Sequence, residues 1–267
     1  MTRITWDETS ERRFEVGVDR GVLYEGPGSN QQGFAWPGLL GVDELTDEGS
    51  TPYFIDGVKY LDIETLGDFQ ATIRAFTYPP VLDAYIGVVD QGNGLFVDDQ
   101  TPQPFHFSYR TRVGNDVDGV DYGYKIHIIW NALLVPQAVV HNTLGADPEL
   151  VEFAWDLVAT PTPVTGFKPT TQLVLDSTQL EPALLSVFEN ALYGTETSDA
   201  YLPSLEEFAT AAGIGFVVYN GDDTWTITAP DENITMISAT QFVIASNAEG
   251  MPEYLDADTF RVELTNF

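Results

Sequence analysis

The chain has 267 residues, room for one large or two smaller domains at roughly 150 residues apiece, and its 41 Asp and Glu against 11 Lys and Arg leave a net charge of −30. A field of that sign repels nucleic-acid phosphates and offers no basic patch to an anionic membrane. The absence of cysteine excludes disulfides and thiolate zinc sites, and 43% apolar with 12% aromatic content argues for a packed core over general disorder.

The opening segment, Met1–Arg13, has no apolar run of the signal-peptide kind. Strands are expected from Phe14 to Tyr24, Gly33 to Leu45 and Tyr53 to Ile63. In Asp68–Tyr78, Phe69, Ala71, Ile73 and Ala75 share one face and Gln70, Thr72 and Arg74 the other. In Phe105–Val113, Phe105, Phe107, Tyr109 and Val113 oppose His106, Ser108, Arg110 and Arg112. In Tyr124–Leu133, Tyr124, Ile126, Ile128 and Trp130 oppose Lys125, His127 and Asn131; in Val151–Ala159, Val151, Phe153, Trp155 and Leu157 oppose Glu152, Ala154 and Asp156. A period of two, rich in aromatic and β-branched residues, is the signature of a half-buried strand. A further strand is expected at Gln172–Asp176.

Two helices follow. Ser177–Tyr193 places Leu180, Leu184, Leu185, Phe188 and Leu192 at helical spacing, with Ser177 or Thr178 as cap and Gly194 as stop. A short one is expected at Pro203–Ala212, closed by Gly213. Strands then resume at Gly215–Tyr219 and Thr224–Ala229 around the turn Asn220–Asp223, and at Ile234–Ser238, Gln241–Ser246 and Thr259–Leu264. The expected organisation is a domain of residues 1–213 with a small β-rich module of residues 214–267.

The residues that could carry chemistry form no recognised catalytic motif. Asp116, Asp118 and Asp121 suggest a calcium loop, but an EF-hand starting at Asp116 needs Gly at position 121 and Glu at 127, which are Asp121 and His127; an acidic β-turn is the better account. His106 and His127 lie on the more polar faces of adjacent strands, either as metal ligands or as partly exposed strand histidines. Carboxylates are so abundant that some pair always has glycosidase-like spacing, which weakens a hydrolase reading. The five Trp could line a sugar groove, although Trp130 and Trp155 fall on apolar strand faces. No enzyme activity, metal or cofactor is expected.

Three stretches, Gly57–Pro79, Phe107–Trp130 and Val151–Val164, resemble in order and spacing the major tail proteins of phages with long non-contractile tails. The second carries the resemblance most specifically: a strand ending in Tyr109-Arg110-Thr111, a Gly114-Asn115-Asp116 turn, then Tyr122-Gly123-Tyr124-Lys125 and another strand. The likeness spans residues 10–212. It implies a mainly β fold, a tail-tube-type β-sandwich or barrel with a flanking α-helix. It also implies hexameric rings stacked around a tape-measure protein, with tail terminator and distal tail proteins at the ends. DNA would pass through the lumen without specific binding, in a virion tail assembled in the host cytoplasm. On that resemblance Asp43, Glu44, Asp47 and Glu48, within Leu39–Thr51, are candidates for an inter-ring loop, or else an ordinary surface loop. The N-terminal arm Thr2–Arg13 either docks on a neighbour or frays. Arg74, Arg110, Arg112 and Lys125, scarce cations on expected strands, pair with carboxylates of a neighbouring subunit or within the chain. The competing function is a carbohydrate-binding β-sandwich adhesin.

Overall fold

In the computed structural model, the described residues are 4, 6–26, 31–46, 49–65, 69–143, 149–163 and 168–212, together with six short strands beyond 215. The chain divides into two compact units, Met1–Thr162 with Pro169–Leu202, and Pro163–Lys168 with Pro203–Phe267.

The first unit is mainly β. Its strands are β1 (Arg13–Tyr24), β2 (Gly33–Trp36), β3 (Leu39–Thr46), β4 (Gly49–Ile55), β5 (Val58–Thr65), β6 (Phe69–Ala75), β7 (Val89–Asp90), β8 (Phe96–Val97), β9 (Phe105–Asn115), β10 (Gly119–Pro136), β11 (Phe153–Ala159) and β12 (Gln172–Asp176). Eight of these form one antiparallel sheet in the order β2-β1-β9-β10-β11-β6-β3, with β12 also paired to β10. The two ends of that order, β2 and β3, are separated in sequence only by Pro37 and Gly38. A two-residue link cannot span an open sheet of this width, so the sheet must curl until its ends meet. Gly21 on β1 marks the closure: a Cβ there would lie 2.4 Å from Leu39 Cδ1, so any larger residue would make the Leu39 side chain shift.

The curl encloses the core. Leu23, Trp36, Ala71, Ile73, Phe105, Phe107, Tyr109, Ile129, Ala132, Leu134, Trp155 and Leu157 all face inward. Trp36 sits edge-on to both Phe107 and Trp155 at 5.4 Å, and its Nε1–H donates to the Thr77 carbonyl at 3.0 Å. Edge-to-face rings add to the burial term, and truncating such a side chain to Ala costs about 3–5 kcal/mol.

The strand β9 is buried on both faces at its start, not half-buried as alternation implies: His106 and Ser108 are as inaccessible as Phe105 and Phe107. The reason is α2 (Pro182–Tyr193), which covers the outer face. The Tyr24 hydroxyl donates to the Leu192 carbonyl at 2.9 Å and meets Ser108 Oγ at 3.2 Å, while Tyr124 donates to Glu189 at 2.9 Å. The helix is shorter than its expected span. Ser177 and Thr178 do not cap it: Ser177 Oγ accepts from the Tyr124 N–H, and Thr178 N–H donates to Asp176 Oδ1 at 2.8 Å each, so these residues pin a turn to β10. Pro182 takes the first helical position, where its missing N–H is no loss, and Gly194 ends the helix at φ 75°.

The expected single strands at Gly33–Leu45 and Tyr53–Ile63 are each two strands. The second is a hairpin of β4 and β5 whose turn, Asp56-Gly57, has φ of 50° and 80°. Two positive φ values make the twist that matches a two-residue hairpin, and Asp-Gly is a preferred pair for it. Between β6 and β9, α1 (Leu82–Tyr85) and the small β7–β8 hairpin fill a stretch where the sequence gives no periodic signal.

In the second unit, α3 (Leu205–Ala211) begins at a capping box: Ser204 Oγ accepts from the Glu207 N–H, and Glu207 reaches back to the Ser204 N–H. Three antiparallel pairs follow: β13 (Phe216–Tyr219) with β14 (Trp225–Thr228), β15 (Ile234–Ser238) with β16 (Gln241–Ile244), and β17 (Glu253–Asp256) with β18 (Thr259–Arg261). The strand at Glu253–Asp256 was not expected from sequence. Gly213 and Asn220–Asp223 lie outside the described residues.

Candidate functional site

A large exposed apolar surface of the first unit is the β4–β5 hairpin. Its strands pair only with each other among the described residues. Phe54, Val58 and Tyr60 are 62%, 70% and 73% exposed, and Tyr53, Ile55 and Leu61 are exposed beside them. An isolated two-stranded ribbon is marginal in water, and a cluster of large apolar side chains on one marks an interaction surface. A second apolar strip lies on the outer face of the main sheet. Leu133 and Val158 are cross-strand partners, with Val135 two residues on, and all three are exposed.

The four residues expected in an inter-ring loop do not all stand in a loop. Asp43 and Glu44 belong to β3, not to a loop, because their strand pairs with β6 residue for residue from Gly41 to Thr46. Asp47 and Glu48 lie outside the described residues. What extends from the end of β3 is the apolar hairpin. A strand at Tyr53–Ile63 was legible in the sequence, but nothing there showed that its apolar residues stand exposed.

Glu44 points inward and heads a polar cluster in the curl of the sheet. Its carboxylate accepts from the Tyr109 hydroxyl and from Gln172 Nε2 at 2.6 Å, and lies 3.6 Å from His127 Nδ1. On the other side of His127, Nε2 is 3.5 Å from Glu15, which also accepts from Thr111 at 2.5 Å and Lys125 at 2.7 Å. The His127 ring stacks on Tyr109 at 4.7 Å. Burial acts to raise both carboxyl pKa values. At Glu44 the nearby His127 imidazole and the hydrogen bonds from Tyr109 and Gln172 outweigh it, and at Glu15 the hydrogen bonds from Lys125 and Thr111 do so; both groups end below the ordinary carboxylate value. The Tyr109 hydroxyl is pushed up, by burial and by its carboxylate acceptor. Every member has a partner, so the cluster reads as a brace across the curled sheet.

His106 and His127 do not approach each other. His127 is paired with Tyr109 and faces the core, whereas His106 is paired with Tyr24 and faces the helix side. Nor is His106 partly exposed: it is 3% accessible. The acidic turn is built by Asn115, whose Oδ1 accepts from the Val117 and Asp118 N–H groups while its Nδ2 donates to Asp118 at 3.0 Å. Asp116 accepts from the Ser10 N–H at 2.9 Å, tying the N-terminal arm to the same chain, and Asp121 lies 3.9 Å from Arg112.

The four scarce cations all find carboxylates within the chain. Arg74 meets Asp43 at 3.2 Å and Glu152 at 3.8 Å; Lys125 meets Glu15. Arg110 makes a fork to Asp19 at 2.6 and 2.8 Å, and Arg112 shares that aspartate at 3.2 Å. Of the tryptophans, Trp36, Trp130 and Trp155 are buried, which removes them from any sugar groove.

No family model and no curated protein matches the chain. Among solved structures it is similar to the tube-terminating cap of the anti-feeding prophage, at 9% identity and TM-score 0.35 over 66% of this chain and 97% of that one. It is also similar to the sheath–tube complex of a PVC extracellular contractile injection system in the extended state, at 13% identity and TM-score 0.30 over 59% and 88%. A third is the sheath/tube terminator of the PVC system, at 13% and 0.29 over 60% and 96%. Likeness at this level carries no argument about fold or function, which rest on the sequence and the geometry above.

Proposed function

We propose that this chain is a structural subunit that polymerises with copies of itself, and that the polymer is the tube of a long, non-contractile phage-type tail. The observation that carries this reading is the β4–β5 hairpin, a ribbon that presents large exposed apolar side chains and pairs with no other strand among the described residues. Donor and recipient surfaces that differ give a head-to-tail contact, which closes as a ring or propagates as a stack. The resemblance of Gly57–Pro79, Phe107–Trp130 and Val151–Val164 to major tail proteins supports the specific form: rings, hexameric in that family, around a tape-measure protein. The net charge of −30 suits a channel wall that DNA must pass without adhering. Residues 214–267 would be an appended module on a tube-forming domain of residues 1–213. The subunit would act without catalysis, in a virion tail assembled in the host cytoplasm.

Electron microscopy and sedimentation of the purified chain, alone and with its tail-initiation partner, test this. Annular particles or tubes with a central hole are expected. Discrete monomers at high concentration with the initiator present would overturn the reading. A second reading, a carbohydrate-binding adhesin, is favoured by the exposed rings of Tyr53, Phe54 and Tyr60; glycan affinity in a strictly monomeric protein would support it.

A further inference from the structure

On the outer face of the first unit, a cleft of about 350 Å³ opens between β9, β10 and α2, lined by Arg110, Arg112, Val120, Tyr122, Tyr124 and Leu185 among others. Two arginines and one aspartate, Asp121, line it. Arg110 lies over the Tyr124 ring at 4.8 Å and is fixed by Asp19, with its side chain 11% exposed. Arg112 shares Asp19 through Nε, yet its side chain is 46% exposed and its other carboxylate, Asp121, is distant at 3.9 Å and almost free in solvent. Arg13 lies over the ring of Tyr122 at 5.2 Å, and Arg20 lies over Tyr193 and 3.9 Å from Glu189, a residue bonded to Tyr124. Four of the chain's eleven cations therefore gather around one cleft in a protein of charge −30. Three carboxylates, Asp19, Asp121 and Glu189, lie among them, and Arg112 keeps a solvent-facing side.

The occupant such a cleft selects is a carboxylate with apolar flanks. Arg112 offers the charge-assisted contact, and Val120 and Leu185 offer apolar walls. The β4–β5 hairpin carries that combination at its tip: Asp56 occupies the first turn position, with Ile55 and Val58 exposed on either side. We propose that the hairpin tip of one copy inserts into the Arg110–Arg112 cleft of a second copy, with Asp56 on Arg112 and Ile55 and Val58 against Val120 and Leu185. The inference rests on the self-assembly reading and names the contact that makes it. Hairpin and cleft are different surfaces of the same chain, so each copy both gives and receives. The geometry is head-to-tail and leaves one hairpin and one cleft free at the two ends of any stack.

The chain has no cysteine, so pairs introduced by mutation report only on themselves. Asp56→Cys protein mixed with Val120→Cys protein, assembled and then oxidised, is expected to give a crosslinked dimer that neither variant gives alone. A disulfide requires Cα atoms within about 7 Å, so the bond is specific to the docked tip. Charge exchange supplies the second arm. Asp56→Lys, which removes the ion pair and sets a second cation beside Arg112, is expected to weaken assembly about tenfold, and Arg112→Glu combined with Asp56→Lys to recover it, with melting temperatures checked because Arg112 also holds Asp19. Assembly that proceeds without the crosslink, or a crosslink from Asp56→Cys to Val135→Cys on the outer apolar strip, would overturn this contact and leave the self-assembly reading standing. Failure of the unmodified chain to assemble would overturn both.

Discussion

The backbone N–H of Asn131 donates to Nδ1 of His106 at 3.0 Å, across the junction where β10 changes its pairing partner. With Nδ1 committed as an acceptor, the imidazole is held neutral, and its buried Nε2 has no partner among the described residues. Protonating Nδ1 would set two donors against each other in a buried site. Burial accordingly lowers the pKa of His106 to about 4.

A pH dependence follows from that depression. The unfolded chain takes a proton near the ordinary histidine value, about 6.5, while the folded chain refuses it until about 4. The unfolded state thus binds more protons in this interval, and stability falls as pH falls through it. Between about pH 7 and pH 5 the contribution of this group is a loss of about 2 kcal/mol. Urea unfolding of the wild type and of His106→Phe at both pH values measures it: the variant should be less stable at neutral pH and lack most of the decrement.

Glu44 gives the second prediction. Removing its carboxylate leaves the Tyr109 hydroxyl, 2% exposed as a residue, without its acceptor. Glu44→Leu should cost about 1–3 kcal/mol for that reason, and the added substitution Tyr109→Phe should recover part of it in a double-mutant cycle. Because the folded pKa values of Glu44 and Glu15 are lowered, their stabilisation is complete above the unfolded carboxylate value, about 4.3, and is lost as pH falls below it. Glu44→Gln should therefore flatten the acid limb of the stability profile.

Asn131 itself has φ of 51°, a conformation that asparagine tolerates and β-branched residues do not. Its side chain donates to Thr162 Oγ1 at 2.8 Å. Asn131→Val should destabilise by more than about 1 kcal/mol, whereas Asn131→Gly should lose little beyond the side-chain bond. Thermal melts of the two variants discriminate a backbone requirement from a contact requirement.

On the hairpin, stability and association should separate. Phe54→Ser with Tyr60→Ser removes exposed apolar area, so the melting temperature of the monomer should shift little, surface changes being usually within about 0.5 kcal/mol. Sedimentation velocity should show self-association weakened by an order of magnitude or more. Unchanged association with these rings removed would dissociate the hairpin from assembly.

Much of the fold was legible because a strand writes its covered face into the sequence at a period of two. Phe69, Ala71, Ile73 and Ala75 face the core as their alternation indicates, and β12 lies on the expected residues. The helix stop at Gly194 was also local chemistry. The site was less legible. Glu44 was recognisable as an acid near the right place, but its role as an inward brace depends on Tyr109, Gln172 and His127, which are distant in sequence.

The sequence by itself determined the strand-rich class, the flanking helix and the negative field, since each follows from periodicity, turn chemistry or composition. Only the tertiary structure decided which faces those strands cover. Along β10 the inward residues are His127 and Ile129 before Asn131, and Ala132 and Leu134 after it; the irregularity at that point exchanges odd for even. No local pattern announces the exchange, because one extra residue in a ladder is set by its partners β9, β11 and β12. The same holds for His106, whose polar position became buried once α2 lay over that side of the sheet, and for the β4–β5 hairpin, whose apolar residues were left uncovered because no other described strand pairs with it.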